Sequence, residues 1–100
     1  MARKNWKYTR NGVEYTLSVG GLMKIYHGGW YTDSDGFSNW KGEPWEETVT
    51  ILGFSKTGLY DTYKRGCDVQ VLNTSNGKID WHIISAPPHR QMLDFQHLDE

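Results

Sequence analysis

The side chains able to do chemistry are few and scattered. Cys67 is the sole cysteine among 100 residues. With His82 it offers a thiolate–imidazole pair, Asp80 or Asp68 serving to orient the ring. That mechanism needs a base within hydrogen-bond reach of the thiol. The strand pairing expected below sets Cys67 near Ile84 and Ser85 rather than His82, so a small, partly buried structural cysteine is the better reading. Cys67, His82, His89 and His97 carry enough donor atoms for zinc. Their intervals match neither a Cys-x-x-Cys knuckle nor a His-Glu-x-x-His helix. His27, beside Gly28-Gly29, is read as satisfying a loop carbonyl. Counting a calcium loop from Asp33 puts Ser38 where the motif needs glycine and Pro44 where it needs a carboxylate, so Asp35-Gly36 is a turn. The glycine pairs lack the lysine–serine of a phosphate loop. Glu46 and Glu47 alternate if extended, which identifies no glycosidase acid and base. No catalytic, cofactor-binding or metal-ligating set emerges. The expectation is a noncatalytic protein without a cofactor.

Aromatic density is the remaining signal. Trp30, Tyr31, Phe37, Trp40 and Trp45 lie close together among turn residues, accompanied by Lys41 and Glu43. Trp and Tyr supply large contact area at modest ordering entropy, as a protein-binding surface needs. Trp30, Tyr31, Phe37, Trp40, Lys41 and Trp45 are therefore the candidate partner-binding residues, with Trp40 and Trp45 foremost. The expected role is an adaptor or inhibitor that binds another protein or a second copy of the chain. The alternative is a single-stranded nucleic-acid-binding domain, stacking bases on these rings beside Lys4, Lys7, Arg10, Lys24, Lys41, Lys56, Lys64 and Arg65.

Composition narrows the field. The formal net charge is -1, from 11 basic and 12 acidic residues, which disfavours a general duplex-DNA binder. At 37% hydrophobic and 14% aromatic, the chain has the groups a core requires and a disordered tail lacks. A lone cysteine rules out an intrachain disulfide scaffold. No window approaches a membrane span, and no apolar secretion segment follows the first basic residues. Cytoplasmic residence, in a cell or in an infected host, is the expectation.

Period-two alternation dominates the chain. Trp6, Tyr8 and Arg10 share one parity, as do Val13, Tyr15, Leu17 and Val19. A two-residue Asn11-Gly12 loop aligns Tyr8 with Tyr15 and Trp6 with Leu17, keeping the large groups on one side. Gly20-Gly21 breaks the strand or bends it sharply, 22–27 forms another, and Gly28-Gly29 reads as a turn that can fold 30–32 back on it. Residues 33–46 read as a long aromatic-rich loop. Val49 and Ile51 mark a strand from Glu47, and 59–63 a further one after the turn at 55–58.

The stretch 68–84 reads as a second hairpin. A two-residue Asn76-Gly77 loop would put Val71 beside His82 and Leu72 beside Trp81, dividing the apolar residues between faces. A three-residue loop, Ser75-Asn76-Gly77 with Gly77 left-handed, puts Val71 opposite Trp81 and Val69 opposite Ile83. The second is expected, with Trp81 in the core between Ile79 and Ile83, and His82 exposed. Pro87-Pro88 ends regular pairing, and 89–95 is either a short helix or an edge strand in a C-terminal tail or short final element at 87–100.

About seven short strands in one all-β domain over 1–100 predict a small antiparallel, strongly curled sheet or partly open barrel. From Val49 to Ile84, the short strands and tight hairpin resemble an SH3-like barrel. An oligonucleotide-binding-type barrel is the runner-up fold. Both are likenesses of fold, and neither carries a function.

Overall fold

A computed structural model describes residues 4–32, 36–55, 66–85 and 93–98, with the backbone alone for 31 and 32. The described residues form nine strands and no helix. In chain order these are β1 (Asn5–Arg10), β2 (Val13–Ser18), β3 (Leu22–His27), β4 (Trp30–Thr32), β5 (Ser38–Trp40), β6 (Trp45–Phe54), β7 (Gly66–Asn73), β8 (Ile79–Ser85) and β9 (Asp94–His97). Five of them build one antiparallel sheet in the order β8-β7-β6-β3-β9, curled into a half-barrel. Leu93, just ahead of β9, bridges to Ile84 on β8, so the two edges of the sheet meet at one corner. The strand expected at 59–63 and the Pro87-Pro88 break lie outside the described residues. Of the segment read as helix or edge strand, 89–92 lie outside the described residues, and an edge strand is found at Asp94–His97.

The first hairpin has the expected register: Tyr8 faces Tyr15 and Trp6 faces Leu17 across β1 and β2. Asn11 and Gly12 both take positive φ, 54° and 78°, the pairing that a two-residue turn needs to match the twist of its strands. Trp6, Tyr8 and Leu17 are buried, and Tyr15 packs against the same cluster. Tyr8 stacks on Trp6 and Tyr15 at centroid separations of 5.3 and 5.5 Å, and meets Phe95 of β9 edge-on at 5.0 Å. The hairpin thus covers the apolar end of the sheet's inner face, where Met23, Ile25, Val49, Ile51, Phe54, Val69 and Ile84 are fully enclosed. Arg10 closes this corner. Its guanidinium lies 4.6 Å from the Phe95 ring centroid and donates to the Phe95 carbonyl at 2.9 Å.

The second hairpin departs from expectation. Leu72 faces Ile79, Val71 faces Asp80 and Val69 faces His82. The loop holds four residues, 74–77, rather than three. Asn73 sets its length: its side-chain Oδ1 accepts from the backbone N–H of Ser75 at 2.8 Å and of Asn76 at 3.2 Å, and its carbonyl accepts from Gly77 N–H at 2.9 Å. Gly77 is left-handed, φ 74°, as foreseen. One extra loop residue reverses the facing of all of β8. Trp81 lies opposite Gln70 and is 52% exposed, while His82 turns to the inner face and is only partly accessible. Trp81 is therefore not a core residue, and His82 is not a solvent-facing one.

β6 corrects its own facing midway. A bulge between Ile51 and Gly53 leaves Leu52 as the extra residue, so Phe54 rejoins Val49 and Ile51 on the inner face. Below the bulge, strict alternation sends Glu46 outward to Lys24, 3.4 Å away, and Glu47 inward.

Candidate functional site

Two features stand outside the apolar core. One is a two-stranded ribbon. β3 and β6 pair down to His27 opposite Trp45; beyond a break, β4 and β5 resume with Trp30 opposite Trp40. Gly28 and Gly29 on one strand face the longer 41–44 segment on the other. Gly29 N–H donates to Gly42 O at 2.8 Å, and Lys41 N–H to Gly29 O at 2.9 Å. Both glycines take positive φ, and a Cβ on Gly28 would collide with the Glu43 carbonyl. Gly28-Gly29 is therefore a bend within a ribbon rather than a hairpin turn.

The loop expected over 33–46 is correspondingly shorter, because Ser38–Trp40 pairs as β5 and Trp45 opens β6. Sequence alone hid this: β5 is only three residues long, set in the sequence between two stretches of turn-favouring residues, Asp33-Ser34-Asp35-Gly36 and Gly42-Glu43-Pro44, and three residues show no period. The ribbon carries large exposed rings. Trp30 is 72% exposed, Phe37 70%, Trp40 49% and Trp45 55%. Trp30 and Trp40 touch at a centroid distance of 5.5 Å. Lys41 is exposed beside them. Tyr31 pairs through its backbone with Asn39, and its side chain lies outside the described residues. Of the six partner-binding candidates, five side chains are thus accessible along one ribbon.

Of the basic residues named for nucleic-acid binding, Lys41 lies on the ribbon, and the other described ones do not join it. Arg10 is engaged with Phe95 and Asp94, Lys24 with Glu46, and Lys4 and Lys7 sit on β1 or next to it. Lys56, Lys64 and Arg65 lie outside the described residues.

The second feature is the polar end of the inner face, where His27 (β3), Glu47 (β6), Asn73 (β7) and His82 (β8) converge. β7 separates β6 from β8, and neighbouring strands run about 4.8 Å apart. Only the curl of the sheet lets His82 reach across to Glu47. His27 Nε2 lies 2.7 Å from Glu47 Oε2, a short charge-assisted hydrogen bond, and His82 Nε2 lies 3.9 Å from the same oxygen. Asn73 Nδ2 donates to the other oxygen, Oε1, at 3.3 Å. The Glu47 side chain is 7% exposed.

Trp45 covers His27, ring on ring, with centroids 3.8 Å apart and planes within 5°. Burial holds the His27 imidazole below its ordinary pKa, outweighing the opposing pull of the Glu47 hydrogen bond and charge; the neighbouring His82 adds a little in the same direction. His27 is therefore neutral near pH 7, donating its Nε2 proton to the carboxylate. The Nε2 of His82 is buried without a hydrogen-bond partner among the described residues.

This group was not assembled from sequence. Glu47 shares parity with Val49 and Ile51, which marks it as inward, but the facing of His82 depended on the hairpin loop. Cys67 sits opposite Ile84 in the apolar core, two positions along the ladder from the Val69–His82 pair. His89 lies outside the described residues.

The chain matches no protein-family model, no curated protein and no solved structure.

Proposed function

We propose that this chain is a noncatalytic protein-binding module, an adaptor or inhibitor, which engages another protein or a second copy of itself through the β4–β5 ribbon. The observation that carries this reading is Trp30 and Trp40 lying side by side, both largely exposed, on a ribbon outside the five-stranded sheet. Exposed aromatic clusters of this kind are costly in water and characteristic of binding surfaces. Phe37 and Lys41 extend the surface, and Trp45 stands at its base. The rest of the proposal is an SH3-like form of the half-barrel as the scaffold and a cytoplasmic or infected-host setting. No described helix is long and apolar enough to cross a membrane.

The test compares wild type with a Trp30→Ala/Trp40→Ala double variant. Neither ring belongs to the buried core, so the variant should keep the wild-type circular dichroism spectrum and denaturation midpoint. Capture from the source cell or its host, followed by titration of the recovered partner, should show binding weakened by at least about tenfold in the double variant, the scale of a hot-spot pair. Unchanged affinity would remove the ribbon from the interface. Saturable, salt-sensitive binding to single-stranded DNA or RNA, lost in the same variant and with no protein recovered, would replace this reading with the nucleic-acid one.

A further inference from the structure

We propose that His27, Glu47 and His82 form a binding site for a divalent transition-metal ion of the zinc class. The three donor atoms, one from each residue, all lie within 4.8 Å of one another. Ligands at about 2.0–2.1 Å from a tetrahedral zinc ion are spaced roughly 3.3 Å apart. The observed separations of 2.7 Å for His27 to Glu47 and 3.9 Å for His82 to Glu47 fall on either side of that value. Shifts of well under an ångström bring both to it; the third separation, His27 to His82, is up to 4.8 Å and closes by up to about 1.5 Å through side-chain torsions on a fixed sheet.

A plain hydrogen-bonded histidine explains half of this arrangement. Glu47 satisfies His27, yet His82 Nε2 is buried and aimed at the same carboxylate oxygen from beyond hydrogen-bond range. A buried nitrogen left without a partner is uncommon and costs stability. A cation between the three groups would satisfy His82 Nε2 and Glu47 Oε2 together. His27 would then carry its proton on Nδ1 and present the Nε2 lone pair to the ion.

The surroundings hold the donors in place. Asn73 occupies Glu47 Oε1 and leaves Oε2 turned toward the histidines, the kind of outer contact that orients metal ligands. Trp45 lies flat on His27 and fixes its plane. The ligands come from three strands of one sheet, β3, β6 and β8, so they are positioned by the backbone rather than by a loop. Two imidazoles and one carboxylate favour zinc, copper, nickel or ferrous iron over calcium and magnesium, which take mostly oxygen ligands. Three protein ligands leave a fourth position for water or for a donor from a bound partner.

The test is calorimetric titration of the untagged, chelator-treated full chain with zinc chloride at pH 7.5. The expected result is one ion per chain, with no saturable response to magnesium or calcium. Cobalt(II) in place of zinc should give the visible absorption of a four-coordinate ion. Glu47→Gln and His82→Gln should each weaken zinc binding by at least about tenfold, while His97→Gln, outside the cluster, should bind as wild type. Nitrogen-15 shifts of the histidine side chains in the wild-type protein read the same point without any variant. Addition of zinc should move the Nε2 signals of His27 and His82 and leave His97 in place. No saturable zinc binding by the folded wild type would overturn the proposal. So would zinc affinity unchanged in both cluster variants, or zinc-induced shifts confined to other histidines.

Discussion

The two Asn-Gly hairpins of this chain carry the same dipeptide and close in different ways. In β1–β2, Asn11 and Gly12 are the whole loop, both left-handed, and Trp6, Tyr8, Tyr15 and Leu17 fall on the packed side while Val13 at the tip stays exposed. In β7–β8, Asn76 and Gly77 are the last two residues of a four-residue loop whose geometry is set by Asn73, a residue before it. The difference lies in the flanks. Around Asn11-Gly12 only one register keeps Trp6, Tyr8, Tyr15 and Leu17 together. Around Asn76-Gly77 both parities are part apolar: Ile79, Trp81 and Ile83 on one, Ile84 with the facing Val69 and Val71 on the other. Where the apolar pattern is ambiguous, local hydrogen bonding in the turn and the needs of the whole sheet decide.

The sharpest test of this contrast is the pair of tryptophans. Trp6→Ala should cost about 3–5 kcal/mol, because the ring is buried between Tyr8 and Phe95 and its removal leaves a cavity. Urea denaturation would measure it. A loss below about 1 kcal/mol would mean that the first hairpin does not seal the core.

Next in size are the two left-handed glycines. Nothing lies within 4 Å of a Cβ built on Gly12 or Gly77, so Gly12→Val and Gly77→Val test backbone strain alone. Each should destabilise by about 1–3 kcal/mol. A neutral Gly77→Val would show that the second loop relaxes to another form.

Asn73→Ala should cost roughly 1–2 kcal/mol, since it removes the side-chain acceptor for two turn amides and the donor to Glu47. Asn73→Asp separates the two roles. It keeps the acceptor for the turn and places a carboxylate against Glu47, so amide exchange in residues 74–77 should stay near wild type while global stability falls. Faster exchange in that loop would show that the turn depends on more than the acceptor oxygen.

The smallest effect belongs to Trp81→Ala. Half-exposed and opposite Gln70, Trp81 should contribute less than about 1 kcal/mol, several times less than Trp6. Equal losses for the two tryptophans would return β8 to the opposite facing and move His82 away from Glu47.

Much of the architecture was legible in residue order because strand alternation is local. The parity of Trp6 and Tyr8, the two-residue turn at Asn11-Gly12, the left-handed Gly77 and the opposite facings of Glu46 and Glu47 all follow from neighbours within a few positions. The all-β curled sheet follows as well. The facing of β8 did not. Its choice rests on one loop residue and on an Asn73 side chain that has several possible partners in sequence and finds three in the fold. The β4–β5 ribbon was equally hidden, because pairing Trp30 with Trp40 requires the Gly28 bend to meet the Glu43 carbonyl across an irregular segment. The convergence of His27, Glu47 and His82 is the furthest from sequence. Those residues belong to three strands of which two are not adjacent, and only the curl of the sheet carries β8 back over β6. A period of two tells each side chain which face it takes. Which side chains then meet on that face is decided by strand order and curvature, and those belong to the folded chain as a whole.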